Sequence, residues 1–142
     1  MRLAFAFSLV ATSASAWEFS PTPICTLSHD AQDTSLVGTY DPATLQYELT
    51  LELTNSVWPD APTFGMLFDG LRRIQIGTDR HTLSSDGHML TVADSGFGNV
   101  LDGLEFNDRA FARSGAMIVD FSLEEAAEHV RAFRNCGDAL TS

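Results

Sequence analysis

Between residues 45 and 54 apolar and polar side chains alternate without a break. Leu45, Tyr47, Leu49, Leu51 and Leu53 are interleaved with Gln46, Glu48, Thr50, Glu52 and Thr54. A period of two over this length predicts a strand with one face in the core and one in water. A one-sided strand of this kind belongs to an antiparallel sheet. Upstream, a Pro-punctuated lead-in over 17–23 precedes a short strand over 24–29 that carries Cys25. A polar turn at 30–33 leads to a second strand at 34–40, which Asp41-Pro42 ends. Residues 55–62 read as a loop holding Trp58, Pro59 and Pro62.

Asp69-Gly70 marks a hairpin, and its loop length sets which side chains share a face. A two-residue loop pairs Phe68 with Leu71 and puts Arg73 on the face of Phe64 and Met66. A three-residue loop over 69–71 pairs Phe68 with Arg72 and gathers Phe64, Met66, Phe68, Ile74 and Ile76 on one face. The second is preferred, because a one-residue slip inverts every side chain. Asp86-Gly87 predicts another hairpin, with Leu83 opposite Leu90 and Val92 further along the same face.

The stretch 96–107 reads either as a hairpin turning at Asp102-Gly103 or as a short helix. The helix, capped by Asn99 with Asp102 and burying Val100, Leu101 and Leu104, is favoured. Strands follow at 109–113 and 116–121, about Ser114-Gly115. The last element is a helix. Ser122 and Glu125 form a capping-box pattern, and Leu123, Ala126, Ala127, Val130 and Phe133 recur at helical spacing. Acidic residues lie toward its start and Arg131 and Arg134 toward its end, complementing the helix dipole. Gly137 is placed to end it, with residues 137–142 as a flexible tail. The expected fold is α+β and mainly β: an antiparallel sheet or open barrel of about seven strands, with the C-terminal helix packed across it.

The start of the chain changes the picture. Arg2, an apolar run over 3–11 too short to span a bilayer, and Ala14 and Ala16 before Trp17 make a cleavable signal peptide over 1–16. The expected mature domain is 17–136, periplasmic or secreted, with no membrane insertion after cleavage. In an oxidising compartment its two cysteines, Cys25 and Cys136, are expected to pair. That bond would bolt the end of the last helix to the first strand.

Charge acts mainly by exclusion. All eight basic residues are arginine, against nineteen acidic ones, for a net charge of −11. Such a surface repels phosphate backbones and anionic lipids, so nucleic acid and membrane surfaces are disfavoured as partners. With no lysine and no Walker pattern, Gly96, Gly98 and Gly103 read as turn glycines rather than a phosphate loop.

The densest polar cluster is Thr78, Asp79, Arg80 and His81. His81 oriented by Asp79 could serve as a general base, with Ser84 or Ser95 as nucleophile. The plainer reading is a solvated hairpin shoulder in which Arg80 pairs with a nearby carboxylate. His29, His81, His88 and His129 lack zinc-site spacing. Asp94, Asn99, Asp102 and Glu105 could supply oxygen ligands to Ca²⁺, although they do not fit the calcium-loop pattern. No cofactor is implied. Trp17, Phe19 and Trp58 either form an exposed patch for a protein partner or plug the open end of the sheet.

The stretches WEFSPTPICTLSH, TDRHTLSSDG with GFGNVLDGLEFN, and VRAFRNC together resemble a group of small exported proteins of marine and related alphaproteobacteria. Some of that group carry the name of a helicase-type excinuclease component. A DNA-repair protein of that kind needs a Walker lysine, and this chain has none. The resemblance implies export and assigns no site residue. The leading expectation is an exported, non-enzymatic module that binds or modulates another envelope protein. The alternatives are a small hydrolase using His81 and Asp79, and a calcium-dependent envelope or adhesion module.

Overall fold

A computed structural model describes residues 3–6 and 16–141, with side chains described as far as Cys136. The expected signal segment 1–16 therefore lies, apart from residues 3–6 and Ala16, outside the described residues.

The chain begins with four antiparallel strands in sequence: β1 (Trp17–Ser20), β2 (Cys25–Asp30), β3 (Thr34–Asp41) and β4 (Gln46–Leu53). Two hairpins follow, β5 (Phe64–Asp69) with β6 (Ile74–Thr78), and β7 (Thr82–Leu83) with β8 (Met89–Asp94). Then come α1 (Gly98–Phe106), a third hairpin of β9 (Arg109–Ser114) and β10 (Met117–Ser122), and α2 (Ala126–Thr141). The strands form two antiparallel sheets, ordered β1-β2-β3-β4-β8-β7 and β10-β9-β5-β6. The fold is mainly β, as the patterning predicts, with ten strands among the described residues, arranged in two sheets, where about seven in one are expected.

The alternation in β4 buries Leu49, Leu51 and Leu53 and exposes Glu48 and Glu52. Across the sheet Leu51 pairs with Leu36, and Leu36 with His29, so one apolar face runs from β2 to β4. In the other sheet Phe64, Met66 and Phe68 lie opposite Ser114, Ala112 and Ala110. These small partners leave room for the large side chains, and the two apolar faces share one core. Gly103 brings α1 down onto Phe68: a Cβ there would stand 2.3 Å from the ring. Trp58, from the loop between the sheets, is buried, and its indole N–H donates to the Leu51 carbonyl at 3.0 Å.

Helix α2 packs on β1, β2 and α1. Cys136 on it is bonded to Cys25 of β2, at a sequence separation of 111 residues and with the α-carbons 6.1 Å apart. Arg134, two residues earlier, reaches both Asp102 and Glu105 on α1. The disulfide and these ion pairs fix α2 to the rest of the molecule at two places.

Several expectations are corrected. The 17–23 lead-in contains a strand, β1, whose Trp17 is buried and stacked on His29 with ring centroids 4.2 Å apart. Leu45 is not a strand residue but sits exposed in the β3–β4 turn at φ 56°. The first hairpin pairs Phe68 with Ile74, not Arg72. That slip is two residues, an even number, so Phe64, Met66, Phe68, Ile74 and Ile76 keep the shared face. The favoured helix at 96–107 is present, but Asn99 lies inside it; Phe97 is the N-cap and provides no side-chain cap. Ser122 belongs to β10 and accepts from the Glu124 amide, while Glu125 turns the chain at φ 65°, so no capping box forms. Helix α2 runs through Gly137 to Thr141 rather than ending at the glycine. By contrast the Asp86-Gly87 hairpin pairs Leu83 with Leu90 as expected. Gly87 takes φ 78°, a conformation that favours glycine.

Candidate functional site

The residues singled out for hydrolysis line a common concavity, but they do not form a relay. Asp79, His81 and Ser84 border an open hollow of about 580 Å³ between the Trp58–Pro62 loop and the β7–β8 turn. The His81 ring donates from Nε2 to the Ala61 carbonyl at 3.1 Å. Its Nδ1 is buried without a partner. The Ser84 hydroxyl donates to Asp86 at 2.6 Å and accepts from the Met89 amide at 3.0 Å, so its proton is held by the turn and not by His81. Ser84, and after it the His88 amide, hold the Asp86 carboxyl below its usual range. Among the described residues no hydrogen bond joins Asp79, His81 and Ser84. Activating a serine needs the base within reach of its proton, and here that proton is already committed. Ser95 likewise donates to Asp94, from its amide at 2.7 Å and its hydroxyl at 3.4 Å.

The four calcium candidates also serve other ends. Asp102 and Glu105 both accept from Arg134, the latter at 3.1 Å. Asp94 faces Arg80 at 3.7 Å, and Asn99 is exposed on the first turn of α1. Among the described residues no group of three or more His, Cys, Asp or Glu side chains could hold a metal ion. The aromatic candidates are plugs: Trp17 and Trp58 are buried and Phe19 is half-buried.

A second cleft, of about 450 Å³, opens between the two sheets. Its origin is a mismatch in strand length. β7 has only two residues and pairs with β8 through Leu90 and Thr91 alone. From Val92 to Asp94, β8 is paired with β4 on its inner side and borders the cleft on the other. Opposite it stands β6, the last strand of its sheet, presenting Ile76, Gly77 and Thr78. Between these two edges the core is visible from outside. Leu49, Phe64 and Met66 form the floor, and Phe97 and Val100 close one end at the start of α1. The charged side chains in the wall are Arg80 and Asp94, at the rim.

The size falls in the range of about 300–1,000 Å³ usual for small-molecule sites, and the mixture of apolar floor and few polar groups matches them too. Sequence reasoning assigns Arg80 and Asp94 other roles and misses the cleft. Its one legible signal is the shared apolar face of Phe64, Met66 and Ile76, continued by Val92 across the gap. Comparison with known proteins finds no matching family model, no matching curated protein and no matching solved structure. The site has to be read from its own geometry.

Proposed function

We propose that the protein is an exported, non-enzymatic binding module, and that it binds in the cleft between β6 and β8. The observation that supports this most is the cleft itself: large apolar side chains drawn from four strands, left open where β7 stops short. The aromatic surface expected for a protein partner is not presented, since Trp17 and Trp58 are buried. That favours a small ligand over a flat protein contact.

Export is supported by two features. Among the described residues Leu3 and Phe5 are 86 % and 84 % exposed, and the buried core residues begin at Trp17. The Cys25–Cys136 bond belongs to an oxidising compartment. No helix among the described residues is long and apolar enough to cross a membrane. A hydrolase built on His81 and Asp79 is less well supported, because Ser84 is engaged by Asp86. A calcium module is less well supported, because Arg134 occupies Asp102 and Glu105.

An NMR titration with small apolar fragments tests the reading. Amide signals of Gly77, Ala93 and Gly98 should move, and Val92→Trp, which fills the cleft, should abolish the shifts. Shifts confined to other surfaces would overturn it. So would turnover of ester, peptide or glycoside substrates that His81→Ala removes. Cell fractionation tests export: the protein should be recovered outside the cytoplasm, shortened by its leader.

A further inference from the structure

We infer that the ligand of this cleft is a small monocarboxylate with an apolar tail, held by Arg80. The inference rests on the cleft being the binding site and adds the chemistry of its occupant. The tail follows from the floor, which offers hydrocarbon and no charge. The sign of the head follows from the rim, where donor capacity exceeds acceptor capacity. Asp94 already accepts from the Ser95 amide at 2.7 Å. The guanidinium of Arg80 meets Asp94 only at 3.7 Å, beyond hydrogen-bond range, with side chains 77 % and 44 % exposed. An ion pair so open to water is weak and easily exchanged.

The backbone of Arg80 is anchored beside the cleft, its amide donating to the Thr78 hydroxyl at 3.0 Å. Its planar fork matches the two oxygens of a carboxylate. The first turn of α1, which carries no acidic residue and no side-chain cap, lies at the same rim and favours the same sign of charge. A single negative charge also suits a chain of net charge −11 better than a phosphate dianion, which the surrounding field would repel more strongly.

Calorimetric titration of the protein with octanoate, octylamine and octanol at neutral pH separates the possibilities. Octanoate should bind about tenfold tighter than octanol, the gain expected of a charge-assisted contact in a partly exposed site. Arg80→Gln should remove that preference while leaving octanol unchanged; Arg80 is exposed enough that the fold should not depend on it. Asp94→Asn should tighten octanoate by freeing the guanidinium. Hexanoate should be weaker than octanoate by about fourfold for each missing methylene that the cleft buries. Equal binding of octanoate and octanol would leave the apolar cleft standing and overturn the carboxylate. Tighter binding of octylamine, or an unchanged preference in Arg80→Gln, would overturn it too. Failure of all three probes would remove the cleft reading and this one together.

Discussion

Gly103→Ala sets two opposing effects against each other. In an exposed helix the change would stabilise by about 1 kcal/mol, because alanine is the better helix former. Here the new Cβ would stand 2.3 Å from Cδ2, 2.4 Å from Cγ and 2.6 Å from Cε2 of Phe68. Unstrained carbon contacts lie at about 3.5–4.0 Å, so helix and ring must separate by more than about 1 Å. Phe68 has nowhere to go: it is fully buried and its strand is paired on both sides. Forcing extra volume into such a core costs about 1–3 kcal/mol, occasionally more. The clash outweighs the helix gain, and a net loss of up to about 2 kcal/mol is expected. Urea unfolding should show a lower midpoint with the slope unchanged. Phe68→Leu in the same background supplies the check. With the ring gone, Gly103→Ala should cost less than in the parent, a non-additivity expected of touching residues. A parent protein stabilised by the alanine, or a strictly additive double variant, would refute the close approach of α1 to the sheet.

Three further outcomes concern the disulfide, the Arg134 cluster and His29. Replacing Cys25 and Cys136 by alanine opens a link across a separation of 111 residues; loop-entropy arithmetic puts the loss at up to about 5 kcal/mol, readable in the same unfolding assay. A loss below about 1 kcal/mol would mean the staple does not constrain the unfolded chain. Arg134→Ala leaves the Glu105 carboxylate, 8 % exposed, without its partner, and should cost about 1–3 kcal/mol. Glu105→Gln in that background should recover part of it, and no recovery would assign the loss to packing instead. Burial pushes the His29 imidazole below its ordinary 6.5, against the opposing pull of the Ala16 backbone and Asp30. The unfolded chain then binds more protons than the folded one just below that value, so stability should fall as pH drops through this window and level off above it. His29→Phe keeps an aromatic ring against Trp17 and should flatten the slope on the acid side of the ordinary histidine range; an unchanged slope would exonerate His29.

Much of this fold is written locally. β4 announces itself by alternation, β9 and β10 are legible about Ser114-Gly115, and the Asp86-Gly87 turn places β8 by pairing Leu83 with Leu90. The face of Phe64, Met66 and Phe68 survives a register shift because parity, not pairing, decides which side is buried. β1 is hidden because a Pro-containing segment follows it and because its strength comes from Trp17 stacking on His29, a contact no local pattern encodes. The start of α2 is misplaced because Ser122 satisfies a cap pattern while its backbone is paired with Arg109 of β9. The cleft is illegible for a deeper reason. It exists because β7 is shorter than its neighbour, and an absence of strand beside Val92 has no residue to signal it. Its walls come from separate parts of the chain, and only packing brings them together.

The bond between Cys25 and Cys136 joins the second strand of the domain to its last helix. A ribosome delivers its two halves in that order, so the covalent seal becomes possible only once every strand of both sheets has been made. A chain cut short before α2 would carry a single orphan thiol, buried in the finished protein but open to capture by another molecule in the fragment. The linkage therefore acts as a receipt for translation: only a polypeptide that has reached its final helix can close on itself.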